Sequence, residues 1–190
     1  MNVRLISGKF GGRVIEGSGT NRTHPMSERI RNSLFNIIGF EIRDCNFLDL
    51  FCGSGAIGIE AISRDADKVY FVDRDSSSIE LTQKNIESCK FDSTKYKILK
   101  ADAFEALNSL ANKGIKFDYI FMDPPYGFLD IDKIIEKISQ LDLLNSRGLL
   151  IAETDIDDTI SEEIGKLNKT REKKYSITKL SFYERTEHNG

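Results

Sequence analysis

Tryptophan is absent from the 190 residues, histidine occurs twice, and proline and cysteine three times each. Cys45, Cys52 and Cys89 are odd in number and lack Cys-x-x-Cys spacing, while His24 and His188 stand near opposite ends of the chain. That pattern supports neither a disulfide framework nor a zinc site, so free thiols in a reducing compartment and no metal are expected. Long apolar runs are missing as well. No stretch reaches the roughly 20 residues that span a bilayer, and residues 1–8 lack the apolar core of a signal peptide, which points to the cytoplasm and away from membranes. Without a Pro- or Ser-rich linker, one main domain over 44–186 is expected, with an extension over 1–43 before it and a frayed tail, 187–190, after it.

A large net charge is also lacking: the balance is −3, with 39% hydrophobic and 30% charged residues, as in a soluble globular protein. The sum conceals an asymmetry. Lys9, Arg13, Arg22, Arg29 and Arg31, with Arg4 and Arg43, give residues 1–43 a net +4 and leave −7 for the rest. A basic extension on an acidic domain can bind nucleic acid locally despite a pI near 5.5.

What the chain does contain is Phe-Leu-Asp-Leu-Phe-Cys-Gly-Ser-Gly-Ala-Ile-Gly over residues 47–58. It starts as a buried strand, breaks at Gly53 and Gly55, and continues as a helix. The glycines bring backbone N–H groups close to a ligand, and the helix N-terminus favours a carboxylate or phosphate. Gly53-x-Gly55-x-x-Gly58 with Asp73 also fits a dinucleotide fingerprint, so the glycines alone leave a dehydrogenase and a methyltransferase open. Asp49 tips the balance, because a carboxylate there disfavours a pyrophosphate and suits a cationic amino acid such as the methionine part of S-adenosylmethionine.

Residues 3–7 and 13–16 read as two strands around a flexible basic tip, 8–12, and Ser27 caps a helix over 28–38 that Gly39 ends. On that helix Arg29 lies off the apolar stripe and Arg31 at its edge, so both heads are expected in solvent, where with Lys9, Arg13 and Arg22 they can meet nucleic-acid phosphates, ordinary solvation and salt bridging being the alternative. Beyond residue 46 strands and helices alternate: strands at 68–72, 96–100, 117–122 and 148–153, helices at 76–89, 103–111 and 131–141. The pattern predicts a mostly parallel sheet with helices on both faces and a ligand at the carboxyl ends of the strands. A further helix is expected over 158–167, then two antiparallel strands, 170–175 and 177–184, turning near Ser176.

Acids stand at those strand ends. Asp73 is placed to accept bonds from ribose hydroxyls, with Arg74 or Asp75 beside the adenine, while Asp102 can accept the adenine amino group and Ala103 supply a backbone N–H to the ring. With Asp49, Phe51, Gly53, Ser54 and Gly55 these are the candidate cofactor contacts. Asp123-Pro124-Pro125-Tyr126 follows the apolar strand 119–122. Paired prolines keep carbonyls out of a ladder, so Asp123 and the Pro124 carbonyl can accept both N–H bonds of a nucleobase amine and free its lone pair, while Tyr126 stacks on the base.

Asp123 to Tyr126, the 49–58 loop, Arg4-Leu5-Ile6-Ser7-Gly8 with Gly12-Arg13, Arg29-Ile30-Arg31, Leu34-Phe35-Asn36, Lys174-Tyr175 and Phe182-Tyr183 together resemble the RsmD-type 16S ribosomal RNA guanine-N2 methyltransferases, over nearly the whole chain. The resemblance implies a Rossmann-like class I α/β fold with seven strands in the order 3-2-1-4-5-7-6. It implies S-adenosylmethionine as donor and one guanine of 16S RNA in the small ribosomal subunit as acceptor; a monomer is expected independently of it. One departure stands out: His24-Pro25-Met26 replaces the family's usual Arg-Pro-Thr. Adenine-N6 or cytosine-N4 methylation, a nicotinamide oxidoreductase and a non-enzymatic RNA-binding protein are the competing readings.

Overall fold

The computed structural model describes residues 1–18, 26–125, 127–128 and 130–186. Arg22, His24, Pro25, Tyr126 and the tail 187–190 lie outside the described residues. The chain begins with a small hairpin, β1 (Asn2–Arg4) and β2 (Val14–Glu16), then α1 (Glu28–Ile38). Next come β3 (Asn46–Leu50), α2 (Ala56–Ser63), β4 (Lys68–Asp73), α3 (Ser76–Cys89), β5 (Tyr96–Lys100), α4 (Ala103–Asn112), β6 (Phe117–Met122) and α5 (Ile131–Gln140). Strands β7 (Leu144–Asp155), β8 (Glu163–Ile164), β9 (Leu167–Lys174) and β10 (Thr178–Arg185) close the fold.

The main sheet runs β5-β4-β3-β6-β7-β10-β9-β8. Strands β3 to β7 pair in parallel and β10, β9 and β8 antiparallel. Leaving aside the short edge strand β8, this is the anticipated seven-strand order, a Rossmann-like class I arrangement. Strand alternation sends Phe47, Phe71, Phe121, Leu180 and Phe182 to one face, where residues of α1, α2 and α3 cover them. Leu48, Leu50, Ile120, Met122 and Leu150 go to the other, under α4 and α5. Contact on the first face is close at Gly58, where an added Cβ would lie 2.3 Å from Phe71.

Three expectations need correction. No helix forms over 158–167; Gly165, at φ +59°, turns the chain from β8 into β9, and Asp155 and Asp158 hold the preceding loop by side-chain to backbone bonds. The spacing of Ile160, Ile164 and Leu167 imitates a helical period, but all three are buried from irregular or extended backbone. The β1 strand also ends early, at Arg4, because the Ile6 and Ser7 amides donate to the buried carboxylate of Glu60, at 2.8 and 3.0 Å, rather than to a ladder.

The hairpin tip, finally, is docked. The Lys9 N–H donates to the Ser63 carbonyl at 2.7 Å and the Phe10 N–H to the Ser63 hydroxyl at 3.0 Å. Gly8, at φ +82°, sits so close that a Cβ would lie 1.8 Å from the Ser63 oxygen. Sequence alone did not reveal that Glu60 and Ser63, one helical turn apart, form this dock.

Candidate active site

Where β3 ends, the backbone turns through left-handed conformations at Phe51, Gly53 and Gly55, with φ of 67°, 55° and 77°. Positive φ is uncommon for a phenylalanine and marks a constrained turn. The turn is pinned from several sides. The Cys52 N–H donates to the Val72 carbonyl at 2.9 Å, Thr82 donates to the Gly53 carbonyl at 2.8 Å, and Asn85 donates to the Ser54 carbonyl at 2.9 Å. Asp49, only 2% exposed, accepts the Gly58 N–H at 2.9 Å and so ties the strand to the first turn of α2.

A cavity of about 1010 Å³ opens over this loop. Its wall takes Asp49 from β3, Asp73 from β4, Asp102 beyond β5 and Asp123 beyond β6. Four successive parallel strands thus present a carboxylate at their carboxyl ends. Among the described residues none of the four is ion-paired. Burial, followed by the charges of Asp123 and Asp73, raises the Asp49 pKa to about 7 against the Gly58 bond. Asp123 is pushed well above the usual carboxylate range, first by burial and then by the charge of Glu153 on β7. Glu153, 4% exposed, is itself raised to about 7 by burial, and its Oε2 has no hydrogen-bond partner. Such a site attracts a cation, which would lower all these pKa values together.

Residues 3–184 match the family described as Conserved hypothetical protein 95. The chain belongs to that family. It is 33% identical to the Bacillus subtilis protein YlbH over 96% of this chain and 99% of that one. To the Haemophilus influenzae ribosomal RNA small subunit methyltransferase D it is 30% identical over 82% of this chain and 80% of that one. Among solved structures, the yhhF protein of Escherichia coli superposes with a TM-score of 0.84 at 26% identity, covering 97% of this chain and 98% of that one.

In this member of the Conserved hypothetical protein 95 family, the cavity gathers most of the anticipated cofactor contacts: Asp49, Phe51, Gly53, Ser54, Asp73, Arg74, Asp102 and Ala103. Gly55 stands behind the wall as the N-cap of α2. Asp73 accepts the Gly53 N–H and the Asp75 N–H, both at 3.0 Å, and keeps lone pairs for further donors. Asp102 caps α4 by accepting the Phe104 N–H at 2.9 Å through one oxygen, leaving the other free. Pro125 rather than Pro124 lines the cavity. The Pro125 carbonyl is used by the Phe128 N–H at 3.0 Å, whereas the Pro124 carbonyl has no partner among the described residues. Phe51 and Phe128 meet edge to face, their ring centres 5.5 Å apart, and form an aromatic lip.

The basic residues divide. Arg29 is exposed, as anticipated. Arg31 is not: at 3% exposure it is buried on the cavity wall, where its Nη2 donates to the Arg4 carbonyl at 2.6 Å and its Nε has no partner. Burial holds its pKa below the usual arginine range despite Glu60 and Glu28. This placement takes the Arg31 head out of the solvent-exposed position expected for it. Lys9 is ion-paired with Asp65 at 2.7 Å, and Arg13 lies over the Phe10 ring, both beside the end of α2 that points away from the cavity. Sequence reasoning missed Glu153 and Phe128. The rule that found Asp123, an acid ending a parallel strand, also applies to Glu153.

No group of His, Cys, Asp and Glu suited to hold a metal occurs among the described residues, and no described helix is long and apolar enough to cross a membrane.

Proposed function

We propose that this protein transfers the methyl group of S-adenosylmethionine to the exocyclic N2 amine of a guanine in 16S RNA of the small ribosomal subunit, working as a monomer in the cytoplasm. The observation that carries the reading is the row of four strand-end carboxylates around the cavity, Asp49, Asp73, Asp102 and Asp123, none of them ion-paired among the described residues. A dinucleotide would bring its pyrophosphate charge against that row, whereas S-adenosylmethionine brings an ammonium and a sulfonium. The naming of relatives as small subunit RNA methyltransferases supports the same choice.

The residues present fit this donor. A volume of about 1010 Å³ accommodates a nucleoside joined to an amino acid. Asp49, with one oxygen on Gly58, has the other available for the ammonium. Arg31 is the buried cation on the wall and suits the carboxylate. Asp73 and Asp102 suit the ribose hydroxyls and the adenine amino group, and Ala103 the ring. The donor supplies a methyl on sulfur with a good leaving group, so the protein's work is positioning and electrostatics.

Asp123 and the Pro124 carbonyl accept the two N–H bonds of the guanine amine, and the sequence offers Tyr126, outside the described residues, as the ring to stack on the base. The nitrogen becomes tetrahedral and its lone pair turns toward the methyl carbon. The bound donor would supply an electrophilic methyl carbon and would keep the C–S pair on its sulfur, while Asp123 or water would take the amine proton. Asp123 must be ionised to accept, and a cation bound nearby favours that form. Transfer of labelled methyl to undermethylated small subunits, followed by nucleoside analysis, tests the proposal: label in N2-methylguanosine is expected, and label in N6-methyladenosine or in DNA alone overturns it.

A further inference from the structure

Between α1 and β9 lies a second recess, a groove of about 590 Å³. Arg29 and two asparagines, Asn32 and Asn36, form its helical side, and Arg171 and Lys173 form its strand side. No acidic residue lines it, and none of Arg29, Arg171 and Lys173 is ion-paired among the described residues. The neighbouring Glu172 projects to the opposite face of β9, where it meets Lys169 and Lys174.

Two of the three cations, Lys173 and Arg171, are held rather than loose. Ser33 accepts from Lys173 Nζ at 2.7 Å and from the Tyr175 hydroxyl at 2.8 Å. The Arg171 guanidinium rests over the Phe182 ring, 5.7 Å from its centre. Heads fixed in this way lose little freedom on binding an anion, and an arginine offers a phosphate two parallel donors.

The sheet sets the groove's position relative to the cavity. Lys173 is opposite Leu180, and Leu180 opposite Glu153. Because Met122 is opposite Ala152, Glu153 stands level with Asp123. Lys173 therefore shares both level and face with Asp123, three strand spacings away, or roughly 14 Å. Arg29 and Arg31 sit two residues apart on α1 and point to opposite sides, Arg31 to the cavity and Arg29 to the groove. One helix width separates the two recesses.

We infer that this groove seats phosphodiester groups of the RNA strand flanking the target base, with Arg29, Arg171 and Lys173 as the phosphate contacts. The inference rests on the RNA methyl transfer proposed above and replaces the hairpin tip, with its paired Lys9, as the main basic contact surface. The groove grips sequence-blind backbone while the cavity takes the base.

The test compares wild type with the double variant Arg171→Gln/Lys173→Gln, the single variant Arg29→Gln, and a remote control, Lys113→Gln. Binding to undermethylated small subunits is measured across salt concentrations, alongside methyl-transfer kinetics and S-adenosylmethionine affinity. Each lost phosphate contact lowers the slope of log affinity against log salt by about 0.7 to 0.9. The double variant is expected to lose about two such contacts, with KM for the subunit raised roughly tenfold and kcat and donor affinity unchanged. Arg29→Gln, which disturbs no described hydrogen bond, is expected to lose one, and Lys113→Gln none. A charge-preserving swap, Arg171→Lys/Lys173→Arg, should restore most of the slope. Unchanged slope and KM in Arg29→Gln and in the double variant would overturn the inference, as would loss of donor affinity equal to the loss of subunit binding. Wild type that bound subunits without methylating them would refute the proposed function instead, and the slopes would still judge the groove.

Discussion

Replacing Asp49 by asparagine separates what this residue does for the fold from what it does for the cofactor. Asparagine can still accept the Gly58 N–H, now at 2.9 Å, but carries no charge. The Asp49 pKa is raised from 3.8 to about 7, mainly by burial. Unfolded chains ionise near 4, so between pH 4 and 7 the unfolded state loses this proton while the folded state keeps it, and wild-type stability falls as pH rises. Above pH 7 the accumulated cost levels off at about 4 kcal/mol. Asparagine escapes that cost but buries an amide with unsatisfied donors, at about 1–2 kcal/mol. At pH 5 the two proteins should melt together. At pH 8 Asp49→Asn should be the more stable by about 2 kcal/mol, a rise of roughly 4–8 °C in Tm. Donor binding should move the other way. Losing a charge-assisted bond to the ammonium, worth about 1.5–3 kcal/mol, should weaken S-adenosylmethionine by roughly 10- to 150-fold in calorimetry. A variant less stable at both pH values, with wild-type donor affinity, would show that Asp49 serves only to hold α2 and would refute the reasoning.

Further expectations follow from the same geometry. Arg31→Met should weaken S-adenosylmethionine at least tenfold in calorimetry while leaving the affinity of its decarboxylated analogue nearly unchanged, since only the former has a carboxylate to hold. Glu153→Gln removes the charge that helps keep Asp123 protonated, so the acidic limb of the kcat/KM profile should shift to lower pH; an unmoved limb would disconnect the two residues. Gly8→Ala forces both a strained φ of +82° and a clash with the Ser63 backbone, and a loss of at least about 2 kcal/mol in chemical denaturation is expected. Gly58→Ala should cost about 1–3 kcal/mol through Phe71, offset by about 1 kcal/mol of helix propensity, and should also weaken donor binding because α2 carries the loop.

Much of the architecture was legible in the sequence because two local signals agree with the tertiary structure. Strands β3, β4 and β6 are short apolar runs ended by an acid or a glycine turn, and α1, α3 and α4 carry caps at Ser27, Asp75 and Asp102 that the structure uses. Stretches where one local pattern serves two conformations were misread. Ile160, Ile164 and Leu167 keep a helical spacing on a chain bent by Gly165 and held by aspartates. Arg31 illustrates a different limit. On a helical wheel it borders the apolar stripe, and only the hairpin folded beside α1 turns that border into an interior, with the Arg4 carbonyl as its partner. Within the site, acids at strand ends were readable because strand direction fixes where they emerge. The groove between α1 and β9 was not readable, since it joins residues 140 positions apart, such as Ser33 and Lys173.

The central claim is that a nucleobase amine held at Asp123 receives a methyl from a donor seated over the Gly53 loop. The most direct measurement is labelled methyl transfer from S-adenosylmethionine to undermethylated small subunits by wild type and by Asp123→Ala, with digestion to nucleosides and donor affinity measured on both proteins. Label confined to N2-methylguanosine, lost by at least a hundredfold in the variant while donor binding persists, is the result the account predicts. Full transfer by Asp123→Ala, or label on another base, would contradict it.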